Sequence, residues 1–232
     1  MSDRFRAARA AKWTALALLF FEPGWGQPVR PSPEAFGALP ALVQPSLSPD
    51  GKHLATIKPF QGRPVGVIYD LSPHGNPPAA VSTDSSFIVG VQWANNERLL
   101  VTINDNHSLP GQGIISWFRT VSVDAKGQNY AFLFKNNRDS NYNTSTSELV
   151  DLDLDDPDHV FMALYQNDAL TLTAPNDVRK FLYKIDVNSG NAYNVLRGGS
   201  KTNQFFMDGH GVVAARIDRT EKPLIDHVFL NI

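Results

Sequence analysis

The chain has 232 residues, with 21 Lys+Arg against 23 Asp+Glu, 42% hydrophobic residues and no cysteine. This ordinary globular composition excludes collagen-like, coiled-coil and wholly disordered chains, and the missing cysteine excludes disulfides, thiolate metal sites and thiol catalysis. A formal net charge of −2 leaves no basic excess for phosphate contacts, so no nucleic-acid partner is expected.

Residues 1–26 read as a cleavable signal peptide. Arg4, Arg6, Arg9 and Lys12 precede the apolar run Trp13 to Phe21. Gly24 and Gly26 stand at −3 and −1 of a cut before Gln27. Nine helical residues rise only about 14 Å, well short of a bilayer core. Export by the general secretory route is expected, to a periplasmic or extracellular location. The mature chain carries no membrane span. Without the charged residues of 1–26 its net charge is −4.

Residues 27–46 form an extended lead-in, punctuated by Pro28, Pro31, Pro33 and Pro40, with one helical turn expected at Pro33 to Gly37 capped by Ser32. Residues 47–232 then alternate short apolar runs with turn chemistry. Leu54–Ile57 follows Ser48-Pro49-Asp50-Gly51. Val65–Tyr69 ends at Ser72-Pro73-His74-Gly75. Phe87–Trp93 leads through Ala94-Asn95-Asn96 to Leu99–Ile103. Trp117–Val123 ends at Asp124-Ala125-Lys126-Gly127. Val160–Leu164 follows Asp155-Asp156-Pro157-Asp158, and Phe181–Val187 ends at Asn188-Ser189-Gly190. Val212–Ala215 and His227–Leu230 complete the series. Such runs, bounded by Gly, Pro, Asn and Asp, predict strands joined as hairpins and an all-β architecture.

The pattern repeats. Ser48–Ala55 aligns with Trp93–Leu100 at an offset of 45, with Leu154–Phe161 as a third copy and Met207–Ala215 as a fourth. Between them recurs a strand ending in Asp or Ser and then Gly: Tyr69…Gly75, Val121…Gly127, Tyr183…Gly190. At about 45–55 residues per blade this predicts a partial or small β-propeller of about four blade-like repeats. A single blade cannot bury both of its faces, so neighbours must cover them. Ring closure would require the strand at 226–232 to pair with the strand near Leu47.

Phe36–Pro40, Leu47–Ala55, Val91–Val101 and Leu182–Gly190, in that order, resemble the N-terminal β-propeller of exported bacterial serine peptidases of the prolyl oligopeptidase family, in the acylaminoacyl- and dipeptidyl-peptidase-like branch. The resemblance covers about residues 34–217. It implies a propeller that covers an active site and filters substrates by size. In that family a C-terminal α/β-hydrolase domain carries the triad, its Ser in a Gly-x-Ser-x-Gly elbow. This sequence has no such elbow, so no catalytic residue transfers and none is assigned. The chain is therefore expected to be the non-catalytic, substrate-gating portion of such a peptidase, separated from its catalytic domain. Its partner would be a separate or downstream α/β-hydrolase domain. The alternative is a stand-alone periplasmic propeller-like module that binds a peptide or protein. A third reading is a remnant with open strand edges.

No cofactor or metal is expected. Asp151, Asp153, Asp155, Asp156 and Asp158 are the densest acidic cluster, but a calcium loop counted from Asp151 has Asp156 and Met162 where Gly and Glu are needed. They read instead as a strand with Leu152 and Leu154 inward and the aspartates outward, ending in a turn. Asp208-Gly209-His210-Gly211 reads as a hairpin turn, since His210 has no ligand partner at sequence spacing. Asn106-His107-Ser108 and Asn143-Thr144-Ser145 match glycosylation sequons and read as polar loops, as does Asn136 to Ser147. Gly198-Gly199-Ser200-Lys201 lacks most of a phosphate-loop pattern.

Overall fold

A computed structural model describes residues 42–111, 113–137, 148–167 and 178–231. Every described residue belongs to one compact unit, Leu39–Ile232. The expected signal peptide, the helical turn at 33–37, the sequon at Asn143 and most of the Asn-rich loop lie outside the described residues.

Fifteen strands are described, in four antiparallel sheets that follow one another along the chain. Sheet I comprises β1 (Val43–Leu47), β2 (His53–Phe60), β3 (Arg63–Asp70) and β4 (Ala79–Val81). Sheet II comprises β5 (Phe87–Trp93), β6 (Arg98–Leu109), β7 (Gly113–Asp124) and β8 (Ala131–Phe132). Sheet III comprises β9 (Glu148–Leu152), β10 (His159–Asn167), β11 (Val178–Asp186) and β12 (Ala192–Arg197). Sheet IV comprises β13 (Thr202–Met207), β14 (Val213–Glu221) and β15 (Leu224–Leu230). Each sheet is a meander in chain order, which is the blade of a propeller. The fold is all-β and partially propeller-like.

The sequence repeat is the strand register. The aligned residues His53, Arg98 and His159 each open the second strand of their sheet. Each lies opposite an aspartate at the end of the third strand: His53 pairs with Asp70, Arg98 with Asp124 and His159 with Asp186. Those aspartates fold the next turn by accepting backbone N–H groups two to four residues ahead. Ser72 donates to Asp70, Lys126 and Gln128 donate to Asp124, and Asn188 and Ser189 donate to Asp186. Hydrogen bonds from Ser72 and Asn76 hold Asp70 well below the usual carboxylate range. The turns between first and second strands use the same chemistry. Asp50, Asn95 and Asp208 accept from Lys52, from Glu97 and Arg98, and from His210 and Val212.

The recurring glycines let one sheet's last turn sit on its neighbour's outer strand. Gly190 has φ +79°, and a Cβ there would fall 2.0 Å from the Phe132 carbonyl oxygen of β8. No other residue fits without moving the backbone. Gly127, at φ +72°, takes the same position against Ala80 and Val81 of β4.

Three apolar cores join successive sheets. Between I and II, Ile57 and Ile68 meet Trp93, Leu99, Val101 and Val123. Between II and III, Leu100, Leu133 and Phe134 meet Val160, Met162, Tyr183 and Ile185. Between III and IV, Phe161, Ala163 and Leu182 meet Phe205. Adjacent residues of β10 and β11 therefore enter different cores, because successive strand side chains point to opposite faces. Hence Val160–Leu164 is apolar throughout rather than alternating.

β1 starts at Val43, ahead of the lead-in boundary at 46, and pairs with β2 through a bulge between Val43 and Ser46. β15 pairs with β14 and is an edge strand of sheet IV, while β1 belongs to sheet I. Among the described residues, the pairing of the 226–232 segment with the strand near Leu47, which ring closure requires, is therefore not formed. All seven residues of β15 are exposed, Val228, Phe229 and Leu230 among them.

Candidate functional site: a polar seam between the third and fourth sheets

The acidic cluster and the glycine-flanked histidine, far apart in sequence, meet where sheet III faces sheet IV. The Gly209 N–H donates to Asp151 Oδ2 at 2.7 Å, and the Leu154 N–H donates to the Gly209 carbonyl at 2.9 Å. His210 Nδ1 lies 3.0 Å from Asp155 Oδ2. His210 does sit in the β13–β14 hairpin turn, but its partner comes from another sheet, which sequence spacing does not reveal.

Leu152 packs inward and Asp155 and Asp158 are exposed, as expected, but the pattern reverses at Asp153 and Leu154. Asp153 is buried at 6% exposure and Leu154 is 68% exposed. The reason is local: β9 ends at Leu152, and the chain then turns, with Asp153 accepting from the Asp155 and Asp156 N–H groups. The two-residue alternation stops there, and Asp153 turns inward to meet Lys184.

Lys184 Nζ is 2.9 Å from Asp153 Oδ2 and 3.0 Å from Asp156 Oδ2. Its hydrogen bond to Asp153, with that to Asp156, raises its pKa above the ordinary lysine value. Asp156 also lies 2.9 Å from His159 Nδ1, and hydrogen bonds from His159 and Lys184 lower its pKa. Further along the same face, buried Lys180 pairs with Glu148 and donates to the Asn203 carbonyl of β13 at 2.6 Å. Lys180, Leu182 and Lys184 alternate with Phe181, Tyr183 and Ile185, so one face of β11 carries two lysines around buried Leu182 and the other is apolar throughout. The sequence reading took Phe181 to Val187 as one apolar strand and missed both lysines. Their four-residue spacing, which puts both on one face of a strand, was the available signal.

Asp151, Asp153, Asp155 and Asp156 each face a Lys, a His or a backbone N–H, so the seam compensates its own charge. Among the described residues no group of three or more His, Asp or Glu could hold a metal ion. Among the same residues no helix is long and apolar enough to cross a membrane.

The seam between sheets II and III carries one buried cation. Arg98 Nη2 donates to the Val187 carbonyl of sheet III at 3.0 Å, Nη1 to the Asn129 carbonyl at 2.8 Å and Nε to Ser122 Oγ at 2.9 Å. Burial lowers its pKa, and the carboxylates of Asp124 and Asp186 oppose that shift. His53 occupies the aligned position of sheet I and lies against the Trp93 ring of sheet II, centroids 5.6 Å apart. The first two aligned residues thus reach across to the following sheet.

A scan of protein-family models and a search of curated proteins give no match. Solved structures similar to the chain include the isopeptidase AtxE2 in its apo form, at 16% identity and TM-score 0.31 over 79% of this chain and 31% of that one. The S527A variant of AtxE2 with Astexin3-dC4 bound matches at 12% identity and TM-score 0.26, over 76% of this chain and 36% of that one. A putative TolB from Agrobacterium tumefaciens matches at 14% identity and TM-score 0.40, over 81% of this chain and 56% of that one. The chain therefore spans between about a third and just over half of the structures it matches.

Proposed function

We propose that this chain is the non-catalytic, substrate-gating propeller portion of an exported serine peptidase similar to the prolyl oligopeptidase family. One observation carries the reading: two of the family-like segments fall at the same place of successive blades, and a third falls on the strand and turn that recur in each blade. Leu47–Ala55 and Val91–Val101 each span the hairpin joining the first two strands of a sheet. Leu182–Gly190 spans the third strand and the turn after it in sheet III. In this reading the blades admit extended peptides and exclude folded proteins by size, and the bond-breaking chemistry belongs to an α/β-hydrolase domain.

The test is capture of the native product from the source cells with an antibody to residues 42–231, followed by labelling with a fluorophosphonate. The expected result is a labelled serine hydrolase in the captured material, as a longer chain or a bound partner. An unlabelled single band at the size of this chain after signal removal overturns the reading.

A free-standing peptide-binding module is the second reading, favoured by a polar cavity to which sheets I, II and III all contribute. It requires no hydrolase in the captured material.

A further inference from the structure

Gln44 of β1, Gly90 and Gln92 of β5, Thr102 of β6, Thr120 of β7 and Met162 of β10 line a cavity of about 150 Å³. Three sheets contribute, and none of the lining residues is ionisable. Gly90, Thr102 and Thr120 form one cross-strand row of sheet II, Gly90 opposite Thr102 and Thr102 opposite Thr120. Gly90 leaves the row open at one end: a Cβ there would lie 3.4 Å from Thr102 Cβ and 3.5 Å from Gln44 Oε1. Gln44 stands at φ +50° inside the β1 bulge. Bulges re-aim side chains in this way.

The decisive group is Thr120. Its residue is only 3% exposed, and its Oγ1 is buried with no hydrogen-bond partner among the described groups. A buried hydroxyl left unsatisfied is unfavourable, and such groups call for an explanation. Around it stand two carboxamides and a second hydroxyl, all neutral and all able both to donate and to accept. The lining offers a carboxylate or ammonium no counter-charge, and any part of such an ion placed against the buried Thr120 hydroxyl loses hydration without compensation. The volume is below the roughly 300 Å³ at which pockets take whole drug-sized ligands. It is on the order of five times the share of one liquid water.

From this we infer that the cavity is a binding site for a single uncharged carboxamide, the head group of a glutamine or asparagine side chain on a bound peptide, with Thr120 Oγ1 as one of its hydrogen-bonding groups. The amide supplies both the donor and the acceptor that the lining complements. The site does not depend on whether a hydrolase domain accompanies the blades.

Selective ¹³C-methyl labelling of methionine tests this directly on the full chain. Met162 lines the cavity, Met207 packs in the seam between sheets III and IV and serves as an internal control, and Met1 lies outside the described residues. The probes are propionamide, the glutamine head group, and propionate, its charged isostere. Propionamide is expected to shift the Met162 methyl saturably and leave Met207 in place. Propionate is expected to bind at least about tenfold more weakly. Thr120→Val keeps the shape, removes the hydroxyl and should weaken propionamide about five- to tenfold. Gly90→Ala adds a methyl at the open end of the row, in contact with Thr102 and Gln44, and should weaken propionamide measurably. Absence of a saturable Met162 shift, equal binding of the two probes, or unchanged binding in Thr120→Val overturns the inference. Wild-type amide-exchange protection across sheets I to III certifies the fold of each variant, and if Thr120→Val fails that check, Gly90→Ala decides alone.

Discussion

The seams on either side of sheet III are built from opposite faces of the same two strands, β10 and β11. Toward sheet II the strands present Val160, Met162, Leu164, Phe181, Tyr183 and Ile185, all buried. Toward sheet IV they present Phe161, Ala163 and Leu182, flanked by Lys180 and Lys184. The first seam is held by burial, which is non-directional and cooperative. The second has a small apolar centre, and its rim depends on ion pairs, each of which must offset the loss of hydration of both partners. Sheet IV therefore rests on fewer and more conditional interactions than sheets I to III. Such a region is expected to open locally before the rest unfolds.

The largest test sets Ile185→Ala against Leu182→Ala. Both residues are at 0% exposure, one in each seam. Each truncation should cost about 2–5 kcal/mol in urea unfolding, as buried large-to-small changes do. The distribution should differ. Ile185→Ala should speed amide exchange across sheets II and III together, whereas Leu182→Ala should release mainly β13 to β15. Equal loss of protection in all four sheets for both variants would break the comparison. Leu230→Ala, at 65% exposure on β15, should change stability by no more than about 0.5 kcal/mol.

Arg98 sharpens the contrast from within the apolar seam. Replacing it by Met removes a buried charged donor and leaves the Val187 and Asn129 carbonyls without it. The expected loss is about 1.5–3 kcal/mol, the range for hydrogen bonds to charged groups. Arg98→Lys should recover little of this, because one ammonium cannot reproduce the planar fork of donors. Full stability in the lysine variant would show that charge alone suffices there.

The apolar seam was legible in the sequence and the polar one was not. Apolar periodicity marks strands and cores, so Phe87–Trp93 emerges with its bounds intact, and the offset of 45 places His53 and Arg98 at the same register position. β1 escaped because Pro45 and a bulge interrupt its alternation. The inward turn of Asp153 escaped because the turn after Leu152 ends the alternation there and its partner, Lys184, lies 31 residues away on another strand. The meeting of Asp155 with His210 spans 55 residues. Burial follows a local rhythm and can be read from one strand. An ion pair across a seam needs the register of two.

The same reasoning sets the third test. Lys184→Met should cost about 1–2 kcal/mol, at the low end for breaking such a pair because solvent reaches the lysine while Asp153 remains buried. Lys184→Met combined with Asp153→Leu should regain most of that loss, since an apolar pair no longer has two charges to desolvate. If the double variant is as unstable as the single one, the pair has a positional role beyond charge compensation.

The smallest expected effect lies at the exposed end of the seam, where His210 meets Asp155. The hydrogen bond to Asp155, with the charges of Asp155, Asp208 and Asp153, raises the His210 pKa above the ordinary histidine value. A raised folded-state pKa means that the folded chain binds the proton more tightly than the unfolded chain. The contribution is therefore fully present below about pH 6.5, the unfolded value, and is lost as pH rises through the folded value. Asp155→Asn should lower the His210 pKa in an imidazole NMR titration. It should also flatten that part of the pH dependence of thermal unfolding while leaving stability above the folded pKa nearly unchanged. An unaltered His210 titration in Asp155→Asn would remove this contact from the account of how sheet IV is held. The seam would then rest on Lys180, Lys184 and the Leu182 core.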